Sequence, residues 1–224
     1  MATSIAKCQR VDSFDLFSCL LLNEVIIDFQ VASENPCSNY KVVYVLGGPG
    51  SGKDTLCAKL CAQFGFAHLS VGELLDKEVA SGSSHGSMIK TFKNQGKLLP
   101  TEMVINLLQK TMAESSTTKF LINGFPRSEE NRIASATIMK VEPEFVLFLE
   151  CSKEVMIARA LSRNQGRSDD NEETMAKRLK VFSECTTPVL DHYSSKGKLC
   201  KINAEKSKEE VFEEAKSCFL DFGF

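Results

Sequence analysis

The sequence predicts an α/β fold in which a parallel sheet of five strands is covered by helices on both faces. Three observations predict it. Short, continuous apolar runs alternate with helix-length stretches along the chain. The first run, V-V-Y-V-L at 42–46, ends in glycine-rich sequence, and a helix-forming stretch begins directly after those glycines.

The run at 42–46 is too short for a helix and lacks polar alternation, so it reads as a strand buried on both faces. Further strands are expected at Phe66–Leu69, Phe120–Ile122, Phe145–Leu149 and Leu199–Ile202. Helices are expected over about 53–64, 72–80, 101–113, 152–163, 171–195 and 207–220. The fifth is expected to break at Pro188, which removes a hydrogen bond and crowds the preceding turn. Strands separated by helices pair in parallel through crossovers, and such sheets bind ligands beyond the carboxyl ends of their strands. The segment just after each strand therefore decides the function.

At 224 residues the chain predicts one domain with a sizeable core. That domain is placed at 40–224, after an N-terminal extension of residues 1–39. Within the extension, 14–27 is apolar but interrupted by Asp15, Asn23 and Glu24, too short and too broken for a membrane span. Lys7 and Arg10 resemble the start of a signal peptide, but Asp12 and Asp15 fall where an unbroken apolar stretch is needed. Acidic residues count equally against a transit peptide. The expectation is a segment that packs locally or is poorly ordered, set off by the break at 33–39 with Pro36.

Charge excludes one class of partner. With 27 basic against 29 acidic residues, the chain lacks the basic surplus that sequence-independent nucleic-acid binding requires. The histidines His68, His85 and His192 are isolated, which suits surface or packing roles better than metal ligation. Nine cysteines form no C-x-x-C pair, so neither a structural metal nor a disulfide framework is expected. Their odd number predicts free thiols in a reducing compartment; the expected location is the cytoplasm, with the nucleus second.

The chemistry lies after the first strand, in G-G-P-G-S-G-K-D-T at 47–55. Glycines let backbone N–H groups turn inward around a polyphosphate, the following helix adds partial positive charge at its N-terminus, and Lys53 supplies a full one. A strict P-loop has Ser or Thr directly after its lysine. Here Asp54 intervenes and Thr55 comes next.

This loop resembles that of the adenylate kinase superfamily of nucleoside-monophosphate kinases, and the resemblance extends over residues 41–220. H-L-S-V-G-E-L-L (68–75) is similar to the start of the family's monophosphate-binding region, and G-K-L-L-P (96–100) to the segment along the substrate base. F-L-I-N-G-F-P-R (120–127) is similar to the phosphate-holding signature, and N-Q-G-R-S-D-D-N-E-E-T (164–174) to a short lid. The fold implied is the P-loop nucleoside-monophosphate kinase fold, with a monophosphate-binding insertion at about 70–99 and a lid at about 163–171. The lid is too short, and lacks the cysteines, for the zinc-bearing long form.

Residue by residue, the resemblance implies an ATP site at Gly48, Gly50, Ser51, Gly52, Lys53, Asp54 and Thr55, with Arg163 and Lys206. The acceptor site it implies runs through Ser70, Gly72, Asp76, Lys97, Leu98 and Leu99. It continues through Gly124, Phe125, Pro126, Arg127 and Asn131, with Arg167 and Arg178. Lys53, Arg127, Arg163, Arg167 and Arg178 would act on the transferring group, and Asp169 and Asp170 would organise the lid arginines. Such a reaction needs no general base, because the acceptor phosphate oxygen is already anionic. Catalysis is then positioning plus neutralisation of spread charge, which calls for several converging cations. A run with Arg159, Arg163 and Arg167 at four-residue spacing could also be a solvated helix face, but Gly166 breaks it.

Val71 and Asn131 stand where adenylate kinases carry Thr and Gln, and in this the chain resembles the UMP-CMP kinases, whose plant members carry a lid very similar to R-N-Q-G-R at 163–167. The expected activity is therefore phosphorylation of CMP, UMP and dCMP by ATP with Mg²⁺, by a monomer. Two alternatives stay open: an adenylate kinase proper, and a nucleotide-binding relative with weakened or lost catalysis. Three departures motivate the second. Asp54 replaces Gly after the P-loop lysine, Asp76 replaces the arginine expected to bind the acceptor phosphate, and Asn123 replaces an aspartate near the metal. Asp76 is expected to repel the acceptor, with Lys77 or Lys97 compensating in part. Asp54 is expected to reach Mg²⁺ through water in place of the missing aspartate at Asn123, or else the two changes are independent losses.

Overall fold

The computed structural model describes residues 40–162 and 171–224. The expectations for the extension and for the lid residues Arg163, Arg167, Asp169 and Asp170 lie outside the described residues.

Five strands form one sheet: β1 (Lys41–Gly47), β2 (Ala67–Ser70), β3 (Lys119–Asn123), β4 (Phe145–Glu150) and β5 (Leu199–Asn203). Their order is β2-β3-β1-β4-β5, and every pairing is parallel. The helices are α1 (Lys53–Phe64), α2 (Val71–Ala80), α3 (Gly86–Asn94), α4 (Thr101–Ala113) and α5 (Glu129–Ala134). They continue with α6 (Lys153–Ser162), α7 (Glu172–Val181), α8 (Thr187–Ser195) and α9 (Lys208–Asp221). None of the described helices is long and apolar enough to cross a membrane.

The strands alternate their side chains between two cores, as a sheet covered on both faces requires. Val42, Tyr44 and Leu46 face one core, and Val43 and Val45 the other. In the first, the Tyr44 hydroxyl is 2.6 Å from Ser135 Oγ, and Ser135 donates to the Val141 carbonyl at 2.9 Å, so these buried hydroxyls have partners. In the second, α9 lays Phe219 among Phe64, Phe66, Phe145 and Phe224.

Three expectations need correction. The helix after residue 171 does not break at Pro188; a π turn over Phe182–Thr186 precedes it, and the chain stays helical into α8. Pro188 lies in the first turn of α8, where its missing N–H is tolerated. α3 and α5 are additional, both short, and α3 comes after a serine- and glycine-rich stretch that reads as loop. Cys200 on β5 and Cys218 on α9 form a disulfide, against the expectation of free thiols throughout, while Cys57, Cys61, Cys151 and Cys185 are free. The pair is made by α9 packing on an edge strand, a contact that local spacing does not encode.

Topology places the site. The chain leaves central β1 toward β2 at one edge, returns to β3 and then crosses to β4 and β5. The carboxyl end of β1 is thus the switch point, where a crevice opens between connections that diverge.

Candidate active site

The loop at that switch point is shaped by its glycines. Gly50 has φ 81°, and a Cβ there would lie 2.2 Å from the Met156 carbonyl oxygen of α6, so a larger residue would displace backbone. Lys53, the first residue of α1, folds back over the loop and donates to the carbonyls of Gly47 (2.8 Å) and Gly48 (2.7 Å) and to Ser51 Oγ (3.2 Å). Burial pushes its pKa down to about 7, with Arg127 and Arg178 adding repulsion and Asp54 partly opposing the shift.

Asp54 reaches across to the ends of two strands. Its Oδ1 accepts from Asn123 Nδ2 at the end of β3 and from Ser70 Oγ (3.3 Å) at the end of β2. Asn123 is buried, and its Oδ1 has no partner among the described groups. A carboxylate and an uncommitted amide oxygen therefore stand side by side at the mouth of the phosphate loop.

Beyond β3 the chain turns through Gly124 and a cis Phe125–Pro126 bond into Arg127. Arg127 Nε donates to the Gly124 carbonyl at 2.7 Å, and the Arg127 carbonyl accepts from Thr186 Oγ1 at 2.9 Å, tying the signature to the π turn. Buried Asn131 accepts from the Arg127 N–H at 3.2 Å and donates to Thr101 Oγ1 at 2.8 Å. Ser128 caps α5 by accepting from the Asn131 N–H.

Most of these groups line one cleft of about 490 Å³, within the range of small-ligand sites. Among the described residues, nine of the lining side chains are Lys or Arg, and Asp54 is the single acid. The cleft gathers Gly50, Ser51, Gly52, Lys53, Asp54 and Thr55 from the loop, and Ser70 and Gly72 from the start of α2. Lys97, Leu98 and Leu99 join from the segment before α4, Gly124, Phe125, Arg127 and Asn131 from after β3, with Arg178 from α7 and Lys206 from after β5. Gly48, Pro126 and Asp76 are not on its lining. Asp76 is exposed and ion-paired with Lys93.

Sequence reasoning missed Lys93 and gave Arg159 no certain role, yet both line the cleft. Arg159 donates to the Ala204 carbonyl at 2.8 Å, so a residue that reads as one of a solvated row instead clamps the turn after β5. Only the order of the strands could have shown that α6 faces that turn. Gly96 (φ 65°) lies against α7, where a Cβ would come 3.0 Å from Lys177 Cβ and 3.3 Å from the Thr174 carbonyl. This close approach brings the 96–100 segment beside Arg178.

A phosphate loop at the switch point of a parallel sheet, opening into a cation-lined cleft, defines a P-loop nucleotide-binding protein. The adenylate kinase family model matches residues 45–198, more than half of the chain, and the chain belongs to that family. It is similar to UMP-CMP kinase 3 of Oryza sativa subsp. japonica, with 49% identity over 203 residues covering 88% of this chain and 97% of the relative. It is 50% identical to the probable UMP-CMP kinase 1 of Arabidopsis thaliana, covering 88% of this chain and 98% of that one. With the UMP-CMP kinase of Sus scrofa it shares 43% identity, over 80% of this chain and 96% of the relative.

Proposed function

We propose that this chain transfers the terminal phosphoryl group of ATP to CMP or UMP, and to dCMP, giving the diphosphates. The observation that carries the proposal is one cleft in which the phosphate loop and the ends of β2 and β3 converge, lined among the described residues by nine Lys or Arg side chains and one acid. Relatives named UMP-CMP kinases at about half identity over most of both chains support the choice of acceptor. Buried Val71 and Asn131 line the cleft and would sort the base of the acceptor.

In the reaction, an anionic oxygen of the monophosphate forms a bond to the γ-phosphorus. The bond from that phosphorus to the bridging oxygen breaks, and its electron pair leaves on ADP. Lys53 would give up its loop carbonyls for the donor phosphates, while Arg127 and Arg178 would neutralise charge on the transferring group.

The residues present fit a Mg²⁺ ion that arrives with ATP. Among the described residues no cluster of three or more His, Cys, Asp or Glu would hold a bare cation. Mg²⁺ bound with phosphates typically keeps several waters and needs one or two carboxylates at most. Asp54 and the unpartnered Asn123 Oδ1 would accept from those waters, and the ion would offset charge on the β- and γ-phosphates. The Asn123–Asp54 hydrogen bond supports relocation of the metal-ordering carboxylate from the strand end to the start of α1.

A coupled assay of the full chain with ATP–Mg²⁺ and, in turn, CMP, UMP, dCMP and AMP tests the proposal. Turnover of CMP and UMP is expected. Absence of turnover with all four would contradict it.

A further inference from the structure

Asp76 stands on α2 where the resemblance places an arginine for the acceptor phosphate, and its charge has the wrong sign for that task. The next helix supplies a cation. Lys93, in the last turn of α3, donates to the Asp76 carboxylate. Only 17% of the Lys93 side chain is exposed, against 51% for Asp76, and Lys93 lines the cleft while Asp76 does not. Lysines ordinarily keep their ammonium groups in water. One drawn to a cleft already lined by Arg127 and Arg178 meets like-charge repulsion, which Asp76 offsets from the outer side. A part-exposed ion pair contributes little to stability, so stability alone does not account for this placement.

We propose that Lys93 binds the phosphate of the acceptor and that Asp76 is a positioning residue that holds it there. The cation has moved from α2 to α3, and an ion pair takes the place of one arginine. The proposal rests on the acceptor being a nucleoside monophosphate. It also reverses the sequence-based expectation for Asp76: the carboxylate supports acceptor binding through Lys93 instead of opposing it.

Binding of CMP and of cytidine to the full chain separates a contact with phosphate from a contact with base, ribose or fold. Lys93→Met should weaken CMP by about 10- to 100-fold, the loss of one charge-assisted hydrogen bond, and leave cytidine within about twofold. Lys93→Arg should keep most of the CMP affinity. Asp76→Asn should weaken CMP by about threefold to tenfold in the native background and have no effect once Lys93 is methionine. KM values should split the same way, rising for CMP and not for ATP, which decides the matter if cytidine binds weakly. Equal losses for CMP and cytidine, no loss for either, or tighter CMP binding by Asp76→Asn would overturn the proposal. If the native chain prefers AMP, the pyrimidine assignment fails and the same comparison with AMP and adenosine still decides the role of Lys93. A native chain that binds no monophosphate overturns both.

Discussion

Lys53 and Lys93 line the same cleft, but they are held there by different means. Lys53 is fixed by the carbonyls of Gly47 and Gly48, in a loop whose glycine conformations and contact with Met156 leave little room for change. Lys93 is held by one side chain, Asp76, across two short helices at the rim. The proposed donor end around Lys53 is held by backbone next to a central strand, the proposed acceptor end around Lys93 by a replaceable side chain. Loss of Lys53 is therefore expected to cost more activity than loss of Lys93.

The largest expected effect breaks the donor end. Lys53→Met should lower kcat/KM by roughly 10²- to 10³-fold or more, as loss of a preorganised charge at the reacting phosphate does. The same side chain gives a pH signature. Its pKa of about 7 lies below the usual lysine value, so without bound phosphates it is largely neutral at pH 8 and charged at pH 6. Bound phosphates favour the ammonium, so ATP binding should take up close to one proton at pH 8 and almost none at pH 6. Calorimetry in buffers of different ionisation enthalpy measures this, and Lys53→Met should abolish it. In the unfolded chain this lysine titrates near its ordinary value, so between about pH 7 and 10 the unfolded state binds more protons and this group makes stability rise with pH.

A smaller effect sharpens the comparison at the metal. Asp54→Gly should weaken Mg²⁺-dependent turnover by about tenfold, and Asn123→Asp should restore much of it in that background. Titration of Mg²⁺ against ATP-bound protein should show the same order. A gain in activity from Asp54→Gly alone would mean that the aspartate repels phosphate. The smallest effect concerns the base: Val71→Thr should shift the preference between CMP and AMP by about threefold to tenfold toward AMP, measured as a ratio of kcat/KM values.

The same contrast explains which features were legible in the sequence. β1 and its loop were legible because an unbroken apolar run ending in glycines has few other structural solutions. The Asp54 substitution was visible as an oddity, but its partners Asn123 and Ser70 required the strand ends to be placed side by side. Lys93 was not legible at all. Its pairing spans 17 residues and two helices, one of which begins at Gly86 in a stretch rich in serine and glycine. The Cys200–Cys218 pair and the Arg159 clamp were hidden for the same reason, since each joins elements that only the tertiary fold brings together.

Acceptor choice is tested most directly by a competition in which equimolar CMP, UMP and radiolabelled AMP share limiting ATP–Mg²⁺ and the diphosphates are separated. CDP and UDP are expected to accumulate well ahead of labelled ADP at early times. Labelled ADP as the main product would contradict this expectation.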